Sequence, residues 1–516
     1  MLNRYKLQFA TFLSVVMYVI MFPVATGSDP WPIESWSCLL SWFFLVPLFT
    51  QLRFESPKRI MLWGYAFCFF STIGTLYWFY IAMQKYGEMP PWLSILILMA
   101  AGFLVGTIRW FSFAFVAKFQ NIRHFPLFAA TVFTLVEWLQ LYIPFQGFPW
   151  ITPAYAITPM NHLVQIADIG GMAGINFLIF YINFLIVEWF VQKRREELPS
   201  RRPLTTAIVI LCLGTVYGMI QFKNYKSDGK DGTLSVALLQ GNISQDIKWS
   251  TQDRENIIRI YHELTTAASQ SNPDLIVWPE ASFPKTTHID STDLDGALPP
   301  GLTGGKLVVG APTWFRDKSG VRYQNSAFTL KPNGDVEHRY DKVRLVPFGE
   351  YIPNFGFIPV KKWVPAVAGD FHSGALDQSM ASVKGHPFAL FICFEVLFPD
   401  IARSWVKQGA QFFVNITNDA WFDRSSGPFQ HLRFALMRTI EFRKPLVRAA
   451  NTGITTWYDA AGVQHESLGL FEHGLLTVKI VPNTVQTLYA CFPHAVPAML
   501  WMLLLYIMVV HRRRIL

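Results

Sequence analysis

The chain is 516 residues long, 52% hydrophobic and 16% aromatic, and only 15% of it is charged, against roughly 25% for ordinary soluble domains. That balance argues against a water-soluble enzyme and for a membrane protein. The formal charge of +9 does not imply nucleic acid, because much of the surplus sits in short clusters beside apolar stretches. These are Arg53, Lys58 and Arg59; Lys193, Arg194 and Arg195; Arg201 and Arg202; and residues 511–514. Such flanking charge is a topology signal.

Taken in order, the apolar stretches cover residues 7–25, 36–50, 60–83, 92–117, 125–143, 171–191 and 204–220, then, after a long gap, 495–510. Each is close to the ~20 residues that a spanning helix needs. The first starts with Arg4 and Lys6 but has no convincing small-residue cleavage site, and further spans follow at once, so it reads as a retained helix. Basic residues fall at every second junction: the N-terminus, 53–59, 118–123, 193–202 and 512–514. Those junctions are expected on the cytoplasmic side, which places the polar region from Lys223 to Pro493 on the far side. Lys223, Lys226 and Lys230 oppose this weakly, and a long translocated domain overrides them. Arg109, Glu137 and Glu188 lie inside spans, where charge is costly. Arg109 and Glu188 are expected to snorkel to a cytoplasmic end, and deeper Glu137 to make an interhelical hydrogen bond.

Five cysteines (Cys38, Cys68, Cys212, Cys393 and Cys491) without paired spacing argue against a disulfide framework. No CxxC, HExxH or Cys/His cluster stands in the sequence, so no metal site is expected.

The polar region alternates strands and helices. Residues 234–242 read as a buried strand ending in turn residues, and 254–270 as an amphipathic helix with Ile257, Ile258, Tyr261, Leu264 and Ala268 on one face. Strands follow at 275–278 and 307–310, and a hairpin around Pro332, Asn333 and Gly334. Further strands are expected at 388–393, 412–418 and 446–450, with a helix over 431–444. The 370–384 segment has no periodicity and reads as a mobile loop. The whole implies a mixed sheet flanked by helices.

Three segments carry polar residues at or near strand ends. Trp278-Pro279-Glu280 puts a carboxylate where Pro279 ends the ladder. Alone, Glu280 also reads as a solvated turn residue. Tyr340–Tyr351 holds Lys342 and, eight residues on, Glu350 in a loop set by Pro347, Gly349 and Pro353; alone, Lys342 also reads as solvated. Residues 389–400 bring an apolar run to Cys393, with Glu395 two residues later; alone, Cys393 also reads as a small buried hydrophobe. Together they make chemical sense. A thiol needs a base to act near neutral pH, a carboxylate can serve, and a lysine can stabilise an oxyanion.

These three segments, in this order, resemble the signatures of the nitrilase superfamily, which uses a Glu-Lys-Cys triad on an αββα sandwich. Joined to many spans and a final C-terminal span, the chain is similar to the superfamily's membrane-bound branch, the apolipoprotein N-acyltransferase family. Residues 239–242 with Trp249, 147–150, 415–422 and 448–453 extend the likeness over essentially the whole chain. The resemblance implies a membrane bundle of about eight transmembrane helices plus a nitrilase-like α/β sandwich. The domains are then 1–222, a periplasmic catalytic domain 223–492, and the last helix 493–516. It implies Glu280 as general base, Lys342 as stabilising cation and Cys393 as nucleophile, supported by Glu350 and Glu395. Trp249 and Trp421 are implied near the lipid, with Phe394 where the family often has Tyr. The implied reaction moves an sn-1 acyl chain from a phospholipid such as phosphatidylethanolamine, through a Cys393 thioester, to the α-amino group of a diacylglyceryl-cysteine on an apolipoprotein. No cofactor and no nucleic acid are expected. The expected partners are phospholipid, diacylated apolipoprotein and the bacterial inner membrane, and the enzyme is expected to be a monomer. Residues 145–150 and Trp421-Phe422 are candidates for an interfacial lipid entrance. Two other readings stand beside this one: a membrane-tethered amidase using water, for which one anchor would suffice, and an inactive transporter or scaffold, against which the intact triad speaks.

Overall fold

In the computed structural model the described residues are 2–26, 29–30, 36–194, 200–227, 229, 232–248, 252–299, 304–318, 320–353 and 370–515. Two units make up the chain, Met1–Phe222 with Cys491–Leu516, and Lys223–Ala490.

The first unit is helical. Each of the eight apolar stretches contains helix, but among the described residues only Pro91–Lys118, Leu163–Arg194 and Arg202–Tyr225 are long and apolar enough to cross a membrane alone. The third stretch is two helices, Pro57–Thr75 and Trp78–Lys85, bent by 50°. Ser71, Thr72 and Thr75 hydroxyls donate to carbonyls three or four residues back just before the bend, a pattern that bends helices. The second stretch is a 3-10 turn, Trp36–Trp42, followed by the helix Val46–Leu52. Pro47 has no N–H to continue a helix. The freed backbone donors are met by side chains: Leu45 N–H by Asn183 Oδ1 at 3.0 Å and Leu48 N–H by Ser14 Oγ at 3.2 Å.

Arg109 does not snorkel. It is 4% exposed, and its Nε lies 3.1 Å from Oε1 of Glu137, itself 4% exposed. Its Nη1 donates to Ser71 Oγ at 3.1 Å and its guanidinium lies 4.4 Å from the Tyr18 ring centre. Burying an unpaired charge in an apolar bundle is costly, so the two charges are kept together. Glu188 pairs with Arg53 at 3.6 Å. Trp150, expected at an interface, is buried against Trp78 with ring centres 4.9 Å apart.

The second unit holds two sheets. The first contains β1 (Leu234–Gln240), β2 (Leu275–Val277), β3 (Lys306–Asp317), β4 (Gly320–Leu330) and β5 (Val336–Asp341). The second contains β6 (Ala381–Val383), β7 (His386–Ile392), β8 (Phe412–Thr417), β9 (Leu446–Ala450), β10 (Thr455–Tyr458) and β11 (Gln464–Leu468). The last strand, β12 (Gly474–Ile480), returns to pair antiparallel with β1. The strand orders are β12-β1-β2-β3-β4-β5 and β11-β10-β9-β8-β7-β6. Within them, β1, β2 and β3 are mutually parallel, and so are β7, β8 and β9.

Alternation along the strands builds the layers. Ala237 and Leu239 of β1 pack with Ile257, Tyr261, Leu264 and Ala268 of the helix Arg254–Ser269, leaving buried Val236 and Leu238 for the opposite face. The helices Pro399–Lys407 and Gly427–Phe442 pack with the second sheet. This is the expected αββα sandwich. One expectation is corrected: the 370–384 segment is not wholly a loop. Its end is β6, whose Ala381 and Val383 bury alternate side chains beside β7.

Candidate active site

Glu280 follows β2 in a turn, with Ala281 at φ 47°. Its neighbour Trp278 is fully buried, stacks on Tyr261 at 4.7 Å and donates Nε1–H to Thr265 Oγ1 at 2.9 Å. Gly310 of β3 lets the turn lie close: a Cβ there would sit 2.6 Å from the Pro279 carbonyl and 2.8 Å from Glu280 Cα. Glu280 is 6% exposed. Asn325 Nδ2 donates to its Oε1 at 2.8 Å, and the Asn418 backbone N–H to its Oε2 at 2.8 Å.

Lys342 follows β5 directly and is buried, not solvated, at 1% exposure. Its Nζ lies 3.2 Å from Glu280 Oε1 and 2.8 Å from Glu350 Oε1. Its backbone N–H donates to the Asn325 carbonyl at 2.8 Å. Asn325 Nδ2 also donates to Glu350 Oε1 at 2.9 Å, so one amide bridges the two carboxylates that flank the ammonium.

Cys393 directly follows β7 and opens a 3-10 turn, Cys393–Leu397, with φ at 55°. A left-handed conformation at a residue with a side chain costs of order 1–3 kcal/mol and persists only where neighbours hold it. Glu395, fully buried, is one holder: its Oε2 accepts Ile392 N–H at 2.8 Å. Its Oε1 accepts Tyr340 Oη–H at 2.8 Å, Val343 N–H at 2.6 Å and Arg344 N–H at 3.2 Å.

The charges are interdependent. Burial works to raise the Glu280 carboxyl, but Lys342, then Lys248 and the Asn325 amide, hold it below its usual range. Burial disfavours the Lys342 ammonium, yet Glu280 and Glu350 more than compensate and raise it. Burial pushes the Cys393 thiol up, Glu280 adds to this, and Lys342 opposes it. Burial likewise pushes Glu395 up to about 7 against the donors aimed at it. The resting arrangement is therefore a thiol beside an ionised carboxylate and a lysine cation, the set of groups that acyl transfer through a thiol would require.

Sequence reasoning brought Glu280, Lys342, Cys393, Glu350 and Glu395 forward, and the structure gathers all five. It assigned no role to Asn325, to Lys248 or to His431. Lys248 is 2% exposed, and its Nζ donates to the Glu280 carbonyl at 3.1 Å. Burial lowers it to about 8, against the pull of Glu280 and Cys393. Its one signal is its place beside Trp249, which itself lies outside the described residues. Phe394 is buried with its ring edge-on to Phe398 at 5.1 Å. Phe391 packs in the sheet core on Phe413 at 5.3 Å. Trp421 is half-buried on the turn Asp419–Phe422.

Cys393, Asp419 and His431 each bring a potential ligand atom within 4.8 Å of the others. Asp419 already accepts from Arg448 Nη2 at 2.6 Å and Thr417 Oγ1 at 2.9 Å, and that guanidinium lies 3.2 Å from His431 Nδ1. A metal ion would meet a fixed cation there, so the group does not suit one.

Residues 11–185 match the family model described as apolipoprotein N-acyltransferase N-terminal domain, and residues 235–490 match the carbon-nitrogen hydrolase model. An apolipoprotein N-acyltransferase of Geobacter metallireducens is 33% identical over 488 residues, 92% of this chain and 90% of the relative. The chain belongs to the apolipoprotein N-acyltransferase family. Another family member, from Vibrio cholerae, is 30% identical over 484 residues, 91% of this chain and 92% of the relative. Among solved structures, an amidase of Nesterenkonia AN1 from the nitrilase superfamily aligns with 20% identity and a TM-score of 0.37, over 53% of this chain and 98% of that one.

Proposed function

We propose that this chain is an acyltransferase that moves a fatty acyl chain from a phospholipid to the α-amino group of a diacylglyceryl-modified N-terminal cysteine on apolipoproteins. The observation that carries the reading is the buried Glu280–Lys342–Glu350 charge cluster, with Lys342 Nζ 3.2 Å from Glu280 and 2.8 Å from Glu350, set beside the Cys393 turn in a member of this family.

The chemistry runs in two halves. Cys393 Sγ attacks the sn-1 ester carbonyl carbon as Glu280 takes the thiol proton. Lys342 stabilises the oxyanion. The tetrahedral adduct collapses, the ester C–O bond breaks, and the lysophospholipid alkoxide leaves with the proton from Glu280. The α-amine then attacks the thioester, Glu280 accepts its proton, and the C–S bond breaks to regenerate the thiol. Glu350 keeps Lys342 charged and Glu395 fixes the nucleophile turn. Trp249, Phe394 and Trp421 are assigned to the lipid side of the site.

Both substrates are lipid-anchored, and a multi-span enzyme keeps them local, which raises effective concentration. In this reading the eight apolar stretches are eight spans in the bacterial inner membrane. The domain of residues 223–492 faces the periplasm, phosphatidylethanolamine is the donor, and the enzyme works as a monomer. Supplying phospholipid labelled in its sn-1 chain together with a diacylated lipopeptide tests the reading. A labelled triacylated peptide is expected, and free fatty acid as the sole labelled product would make the protein a hydrolase.

A further inference from the structure

Glu395 secures one side of the nucleophile turn through Ile392 N–H. The other side, the Cys393 carbonyl, lies 3.1 Å from His431 Nε2. A carbonyl only accepts, so Nε2 carries the hydrogen. His431 sits on Gly427–Phe442, a helix buried at every residue, and is itself fully buried between the rings of Phe422 at 5.9 Å and Phe434 at 6.1 Å.

Its second nitrogen is held as well. Nδ1 lies 3.2 Å from Arg448 Nη2 and 3.0 Å from Asp419 Oδ1. Burial and then Arg448 disfavour the imidazolium, while Asp419 favours it; the neutral ring with its hydrogen on Nε2 accepts at Nδ1 from Arg448. Arg448 comes from β9. Its Nη1 donates to Asn415 Oδ1 on β8, and Asn415 Nδ2 donates to the Phe391 carbonyl on β7 at 3.1 Å. The hydrogen-bond path Phe391–Asn415–Arg448–His431–Cys393 therefore leaves β7 two residues before the nucleophile and returns at the nucleophile. It crosses all three parallel strands on the way. Asp419, which Arg448 holds ionised well below the usual carboxylate range despite burial, anchors the middle.

We propose that His431, backed by Arg448 and Asp419, is a positioning residue that locks the left-handed Cys393 backbone so that Sγ faces Glu280 and Lys342. This inference rests on Cys393 being the nucleophile of the proposed reaction. It predicts an effect on the chemical step rather than on lipid binding, since His431 is enclosed by protein.

The test measures single-turnover acylation of Cys393 by phospholipid, KM for the phospholipid, and thermal unfolding, in full-length protein with wild type, His431→Met and His431→Gln. Met fills the volume without a donor; Gln offers an N–H to the same carbonyl. His431→Met is expected to slow acylation about a hundred-fold, as a misplaced reacting atom does, with KM unchanged, and His431→Gln to recover most of the rate. Wild-type acylation by a folded His431→Met would overturn the inference, as would a folded His431→Gln that is as slow as His431→Met. Wild type that forms no Cys393 adduct would instead sink the acyltransferase reading on which the inference stands.

Discussion

Glu395 Oε1 accepts the backbone N–H of Val343 at 2.6 Å, which ties the turn carrying Cys393 to the residue after Lys342. The same carboxylate accepts Ile392 N–H at 2.8 Å and Tyr340 Oη–H at 2.8 Å, so one side chain fixes the spacing between the cation and the thiol.

Replacing Glu395 by Gln should be damaging despite the equal size. The amide turns one acceptor oxygen into a donor facing donors that are buried. Each donor left unsatisfied costs about 1–3 kcal/mol. Lower thermal stability and strongly reduced Cys393 acylation are expected. An unfolding midpoint and acylation rate equal to wild type would show that the clamp is dispensable.

Glu350 is the second carboxylate against Lys342, its Oε1 2.8 Å from Nζ. Glu350→Leu leaves the buried ammonium with one carboxylate partner, and breaking a buried pair costs about 3–5 kcal/mol. Denaturation in detergent should show that loss, with acylation falling as well. The double change Glu350→Leu with Lys342→Met should not recover stability, because it strands Glu280, whose Oε1 lies 3.2 Å from Lys342 Nζ; a double variant as stable as wild type would show that Glu350 is the partner that matters for the buried charge.

The pH profile follows from Glu280. In the proposed reaction Glu280 acts ionised; burial works to raise its carboxyl, but Lys342 and then Lys248 hold it below its usual range. Acylation should therefore rise with pH through a point below the usual carboxyl range and stay level above it until other groups titrate. Removing the Lys248 charge takes away part of what depresses Glu280, so Lys248→Met should move the acid limb to higher pH. Lys248→Arg keeps the charge and should leave it in place. An acid limb unmoved by Lys248→Met would remove Lys248 from the electrostatics of the base.

In the helical unit, Arg109 and Glu137 meet at 3.1 Å in the interior. Glu137→Leu alone strands a buried guanidinium and should destabilise by about 3–5 kcal/mol, whereas Arg109→Leu with Glu137→Leu should be close to neutral. Thermal unfolding of both variants decides this. A double variant as unstable as the single one would mean the pair does more than neutralise itself.

The part of the site that was legible in the sequence is local. Glu280 and Cys393 each stand beside a β-branched or aromatic run that ends in a turn, and Glu395 is two residues from Cys393, so chemistry and strand end are adjacent in the chain. Glu350 lay in the same loop as Lys342 for the same reason. What escaped was carried by tertiary pairing. Asn325 reaches both carboxylates only because β4 pairs with β5 in the register Ser326 to Asp341. His431 meets Cys393 only because a wholly buried helix passes beneath the strand ends. Burial reversed the solvated reading of Lys342, and a partner on another helix reversed the snorkelling reading of Arg109. The bend after Thr75 and the break before Pro47 escaped a hydropathy count because apolarity continues across both while the backbone ladder does not.

The most direct measurement is peptide mapping by mass spectrometry of the enzyme after a brief exposure to phospholipid. A hydroxylamine-labile acyl group is expected on the Cys393 peptide of wild type. It should be absent from Cys393→Ala, strongly reduced in Glu280→Gln, and lost from wild type when a diacylated lipopeptide is added, with a triacylated peptide appearing in its place. An acyl group that persists in Cys393→Ala, or that sits on another residue, would contradict the assignment of Cys393 as the nucleophile.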